Sequence, residues 1–278
     1  MNASSLHFRK NISVAGYHEL VSPGCAPLEH ITLGLQCLSE GESQRFGALT
    51  HESVLVMLSG KLILSGASLG APLRLERKSV FDDPAAALYI AAGDEIAVRA
   101  ESASEIAVAK APCSVSQGRK TQAVLAPQLR RREVGKDNWS RMVWDIVPGE
   151  FPADKLIVGE TFNPPGNWSS SPPHKHDRHD PPRESRFEEV YFYRFDPPQG
   201  FALQRIYTAE KDLDVCYAVE QNDVVVLPRG YHPVVAAPGY HLYYLWVLAG
   251  QSRDAVWFED PAHSWIHDSG NQYPASTQ

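Results

Sequence analysis

Cysteine is sparse in this 278-residue chain: Cys25, Cys37, Cys113 and Cys216 lie far apart and no two stand at CxxC spacing. That excludes a zinc knuckle and a dithiol redox motif, and predicts four reduced thiols. Long apolar runs are also missing. Nothing approaches the roughly 20 apolar residues of a membrane span, and the opening "MNASSLHFRKNIS" has no apolar stretch of signal-peptide length. A soluble, cytoplasmic protein with no membrane partner is therefore expected. Positive charge is in deficit, with 26 Lys and Arg against 33 Asp and Glu and a net charge of −7. The densest basic point, Arg130 to Arg132, reads as a solvated linker, so nucleic acid is excluded as a general partner. Helix signals are scarce as well.

What is present is a succession of short β-branched and aromatic runs bounded by Gly, Pro, Asn or Asp. They include "SVLVMLSGKLIL" (53–64), "EIAVRA" (95–100), "EIAVAKA" (105–111), "KLIVGETF" (155–162), "EVYFYRF" (189–195), "FALQRIYT" (201–208), "DVVVLPRG" (223–230) and "YHLYYLWVLAG" (240–250). The order of events appears twice: strand, Gly-containing turn and strand, then a short strand closing on a tight turn, then a longer strand. An all-β chain of two related β-barrels is the economical reading, and 43% hydrophobic residues suffice for their cores. We divide it into an N-terminal barrel (1–112), a connector (113–150) and a C-terminal barrel (151–278). The connector is read from its alternation of polar with isolated apolar residues.

The stretch "WSSSPPHKHDRHDPPRESRFEEVYFY" (168–193) concentrates histidine and glutamate. In a strand, side chains at i and i+2 share a face, so His174 and His176 can reach one ion while Lys175 points away. Pro172 and Pro173 fix an extended approach. The next strand opens with Glu188 and Glu189, of which period two lets only one face inward. His232, after the Pro–Gly turn of "NDVVVLPRGYHPV", is aimed back at the sheet. Three imidazoles and a carboxylate suit one divalent ion, Zn, Mn, Fe or Ni, with positions left for substrate or water. The bland alternative, a solvated loop with a surface His pair, loses ground because the carboxylate and third histidine recur at barrel spacing.

"PPHKH…EEVYFY" followed by "NDVVVLPRGYH" resembles the two cupin motifs. The longer strings "GNWSSSPPHKHD", "FEEVYFYRFDPPQGFALQRIYT", "VVLPRGYHPVVAAPGY" and "LYYLWVLAGQSR" resemble the 5-deoxy-glucuronate isomerase family of myo-inositol catabolism. "SVFDDPAAALYIAAGDEIAV" agrees with that family's first half. The resemblance implies a bicupin, two cupin-type barrels in one chain, with metal ligands at His174, His176, Glu189 and His232. Glu189 is preferred because the family's carboxylate directly precedes the "VYxY" run. In the first barrel Glu52 occupies the corresponding strand start, but "GALTHE" offers no HxH and "AAGDEI" no histidine, so that barrel is read as structural. Two positions depart from the family: Trp246 stands for Asn and His241 for an acidic residue.

The implied reaction is the aldose–ketose isomerisation of 5-deoxy-D-glucuronate to 5-dehydro-2-deoxy-D-gluconate. Such a sugar acid needs a cationic partner, which a planar Arg fork meets best. Arg205, sharing a strand face with Tyr207, is the first candidate and Arg229, beside the turn of His232, the second. Tyr191, Tyr207 and Tyr231 could reach a barrel mouth, and none is singled out as a general base. His179, with Asp177 and Asp180, reads as a solvated loop tip, and His263 and His267 as surface residues without carboxylate partners. Competing readings are a uronate ketol-isomerase of pectin breakdown, an Fe-dependent cupin oxygenase consuming O2, and a non-catalytic sugar-acid-binding cupin. Pairing of exposed barrel edges would give a homo-oligomer.

Overall fold

The computed structural model describes residues 6–10, 12, 14–113 and 118–267. Strands dominate it, and the helical pieces are short 3-10 turns such as Ser264–His267. Among the described residues no helix is long and apolar enough to cross a membrane.

The first barrel is organised by one 15-residue strand, His51–Ser65. Its first half pairs with Ser104–Pro112 and its second half with Leu73–Arg77 and Ile96–Ala100. The strand turns from one sheet into the other at Gly60, whose φ of +103° and close approach to the Ala103 carbonyl leave no room for a side chain. In the second barrel, Phe187–Asp196 lies between Val224–Leu227 and His241–Gly250. This sheet faces a four-stranded sheet in the order Trp168–Ser169, Val234–Ala236, Ala202–Tyr207 and Asp214–Val219.

Residues 113–150 are not the plain connector expected from their alternation. Gln122–Val124 pairs with Ala87–Ile90 of the first barrel, whereas Arg130–Val134 and Arg141–Val147 extend the sheet of the second beside Leu156–Asn163. Polar residues alternating with isolated apolar ones are what a sheet edge produces when one face is wet: Arg130 and Arg131 are exposed while Ile146 and Val147 are buried. Residues 114–117 of this stretch lie outside the described residues. At the other end of the chain, His7–Phe8 joins Val224–Val225 of the second barrel.

Period two sorts the core into three parts. Leu55 and Met57 fill the first barrel, Tyr191, Tyr193 and Phe195 fill the second, and the intervening Val54, Val56, Val190 and Phe192 meet between them. Polar clasps cross that inter-barrel layer. Arg77 and Glu160, both fully buried, are joined by bonds of 2.7 and 3.0 Å, and Tyr243 donates to the same carboxylate at 2.8 Å. Glu52 accepts the backbone N–H groups of Asp154, Lys155 and Leu156, and Glu188 accepts those of Glu29, His30 and Ile31. Each barrel thus holds the entry to the other barrel's sheet.

Strand register also revises the place of Glu52. Glu52 lies opposite Ala111 as Glu188 lies opposite Ala249, so Glu52 is the counterpart of Glu188, and Ser53 stands where the second barrel has Glu189.

Candidate metal centre

The site grows from three short segments. Gly230, at φ +91°, turns the chain after Val224–Leu227; a side chain there would strike the Tyr207 carbonyl. Its carbonyl accepts from His232 Nδ1 at 3.0 Å, and the Phe187 carbonyl accepts from His176 Nδ1 at 3.0 Å. With Nδ1 so engaged, both imidazoles are oriented with Nε2 directed at the Glu189 carboxylate. Glu189 Oε2 lies 3.0 Å from His176 Nε2 and 3.4 Å from His232 Nε2. Each of these three residues offers a ligand atom within 4.8 Å of the others, all are buried, and His232 Nε2 has no hydrogen-bond partner among the described residues. Two ring nitrogens and a carboxylate thus converge on one point with His232 Nε2 unsatisfied, and a divalent cation suits that set.

His174 is adjacent but outside this trio: its ring centroid is 4.8 Å from that of His232 and 6.4 Å from that of His176. Lys175 points the other way, as alternation requires, and is held by Asp177 at 2.5 Å and Glu184 at 2.8 Å.

Burial governs the protonation of the imidazoles. It presses His232 down to about 4, with nearby His176 adding and Glu189 opposing. His174 is held well below its ordinary value by burial and by His232 and His176. For His176 burial also opposes the charge, but its bond to Glu189 outweighs that and moves it upward.

His174, His176 and Glu189 open onto a cavity of about 260 Å³ whose wall includes Arg141, Tyr191, Tyr244 and Trp246. The Tyr191 and Tyr244 rings stack at 4.5 Å, with hydroxyls against Ser170 and Ser169. Burial foremost holds the Tyr191 phenol well above its ordinary value, and it raises Tyr244, so both stay protonated at neutral pH. Trp246 faces this cavity and donates to Thr161 at 3.1 Å, whereas exposed His241 begins its strand opposite Asp196, away from the site.

Several sequence-predicted residues lie elsewhere. Tyr207 donates to Asp260 at 2.7 Å and stacks on Tyr231, and neither lines this cavity. Arg205 is 42% exposed, forked onto Asp214 at 2.8 and 2.9 Å; Arg229 is paired with Asp212 at 2.6 Å. Both cations are already neutralised outside the cavity, a consequence of acidic residues in the neighbouring turn that strand periodicity does not reveal. The insert is pinned rather than loose, because Asp177 accepts from Gly230 N–H at 3.0 Å. His267 does have a carboxylate partner, Glu259, at 3.0 Å, and His263 lies 4.0 Å from Asp260.

Other residues escaped the sequence reading. Tyr244 and Leu248 share the cavity face with Trp246 at period two, a signal present in "HLYYLWVL". Trp257 and Glu259 come from the C-terminal segment, where Phe258–Glu259 pairs with His174–Lys175. Arg141 sits in the stretch taken for a connector and carried no signal.

The KduI/IolB family model matches residues 9–266. A 5-deoxy-glucuronate isomerase from Geobacillus thermodenitrificans is 38% identical over 251 residues, 90% of each chain. One from Bacillus subtilis strain 168 is 34% identical over 251 residues, 90% of this chain and 92% of that one. Among solved structures, an IolB-like protein from Salmonella typhimurium LT2 superposes with a TM-score of 0.88 at 34% identity, covering 94% of this chain and 99% of that one. Oxalate decarboxylase from Lactobacillus farciminis, in its formate complex, superposes at 0.67 with 13% identity, covering 97% and 92%. That likeness concerns the fold alone and agrees with two cupin barrels.

Proposed function

The chain belongs to the KduI/IolB family, and we propose that it is a metal-dependent aldose–ketose isomerase of the cytoplasm. Its reaction is the conversion of 5-deoxy-D-glucuronate to 5-dehydro-2-deoxy-D-gluconate in myo-inositol catabolism. The observation that carries this reading is the convergence of His176, Glu189 and His232 on one buried point with His232 Nε2 unpartnered.

His176, Glu189 and His232 would hold one divalent ion, with His174 as the fourth ligand. Bound there, such an ion supplies a Lewis acid for the carbonyl and the neighbouring hydroxyl oxygen of the sugar. The isomerisation is internally balanced: the C2 hydrogen goes to C1, the C2 hydroxyl proton goes to the C1 oxygen, and nothing enters or leaves. The chain's own groups position these atoms. Tyr191 and Tyr244, kept protonated by burial, donate hydrogen bonds to sugar oxygens, and Tyr191, which lines the cavity where Tyr207 and Tyr231 do not, holds a proton for C1 and C2. Trp246 and Trp257 limit water in the cavity.

The test is metal analysis of the purified protein together with an NMR assay on 5-deoxy-D-glucuronate under anaerobic conditions. The aldehyde signal should give way to a C2 ketone at constant mass. Turnover that requires O2, or binding without turnover, would replace the isomerase with an oxygenase or a binding protein.

A further inference from the structure

The cavity wall contains two arginines, and they differ in what holds their charge. Arg132 is bound through Nε and Nη2 to Asp145, both bonds 2.8 Å. Arg141, the first residue of Arg141–Val147, has only neutral partners: Nη1 donates to the Trp139 carbonyl at 3.1 Å and to the Ser171 carbonyl at 3.3 Å. Its Nε is buried with no hydrogen-bond partner, and no carboxylate lies within ion-pair distance of it among the described residues. The carboxylates on the same wall are committed elsewhere, Glu259 to His267 and Glu189 to His176 and His232.

A guanidinium stays charged at any physiological pH, and a partly desolvated cation without a counter-charge costs stability. Burial accordingly lowers its affinity for its proton. The two carbonyl bonds on Nη1 fix the plane of the guanidinium and leave Nη2 uncommitted as a charged donor for an anion. Arg141 shares the cavity wall with His174, His176, Glu189, Tyr191 and Tyr244.

We propose that Arg141 is the specificity-determining residue that binds the carboxylate of an open-chain sugar acid whose other end lies at the histidine–glutamate group. This rests on the isomerase reading for the identity of the natural ligand, but not for the recognition itself. It also reassigns the role for which Arg205 and Arg229 are the sequence candidates, since both are satisfied by aspartates outside the cavity.

Calorimetric titration of the metal-loaded protein with D-gluconate, an open-chain sugar acid, and D-glucitol, its neutral counterpart, tests the idea without turnover. Wild type should prefer gluconate. Arg141→Ala should weaken gluconate roughly 10- to 100-fold, the range for loss of a charged hydrogen-bonded partner, and leave glucitol unchanged. Arg141→Lys should fall between. Arg141→Gln keeps a polar side chain but no charge, so its loss of gluconate preference at unchanged melting temperature and metal content separates recognition from a structural role. An equal loss for both ligands, unchanged gluconate affinity in Arg141→Ala, or a wild type without preference would overturn the proposal. A protein that selects gluconate through Arg141 yet leaves 5-deoxy-D-glucuronate unconverted would sink the isomerase reading and leave this one standing.

Discussion

Glu188 and Glu189 are consecutive residues of one strand whose carboxylates serve opposite faces. Glu188 receives the backbone N–H groups of Glu29, His30 and Ile31 at 2.6 to 2.8 Å, whereas Glu189 lies 3.0 Å from His176 Nε2. Glu189→Gln should therefore lose metal and activity with little change in the stability of the metal-free fold. Glu188→Ala should keep its metal and lose about 1–3 kcal/mol of stability, the cost of leaving the buried Ile31 N–H and its half-buried neighbour unmet. Metal content and denaturant unfolding of the two variants, side by side, decide the matter; equal metal loss in both would contradict the alternation.

Removing any one proposed imidazole should lower metal occupancy, but to different degrees. His176→Ala and His232→Ala take away members of the tight trio, whereas His174 stands beside it. We expect occupancy, read by plasma emission after dialysis, to fall most in the first two and less in His174→Ala. Full occupancy in His232→Ala would remove the assignment.

The Arg77–Glu160 pair lies in the layer between the barrels with both side chains fully buried. Arg77→Met alone leaves the Glu160 carboxylate with only Tyr243 and should destabilise the protein by about 3–5 kcal/mol. Arg77→Met combined with Glu160→Gln should recover part of that loss, because the uncompensated charge is gone. Urea unfolding of the wild type and the two variants gives the comparison.

Metal-free protein should weaken in mild acid. His232 titrates near 4 in the fold, below its unfolded value, so between those two pH values the unfolded chain binds the extra proton and stability falls as pH falls. The His232 contribution is on the order of 3 kcal/mol, present above about pH 6.5 and lost by about pH 4. His174, also depressed, acts in the same direction, and His176, raised, acts in the opposite one. Melting temperatures recorded with chelator from pH 7.5 to pH 4 should decline, and the decline should shrink in His232→Gln.

The residues of the candidate site were legible partly from local rules and partly from family resemblance. Alternation placed Lys175 away from His174 and His176 and let only one of Glu188 and Glu189 face inward, the resemblance chose Glu189, and the Pro–Gly turn before His232 announced a change of direction that Gly230 makes at positive φ. Strand existence followed from the same rules, since residues two apart share a face whatever the rest of the chain does. Tertiary structure alone decided what depends on residues distant in sequence meeting in space. Whether an arginine is free or spent depends on the acid folded against it: Asp214 takes Arg205, Asp212 takes Arg229, and nothing acidic meets Arg141 among the described residues. Arg77 finds Glu160 across 83 positions and Glu188 finds Ile31 across 157. Such pairings carry no period and no spacing, because barrel closure and the packing of two barrels set them, and neither is a property of any short stretch of chain.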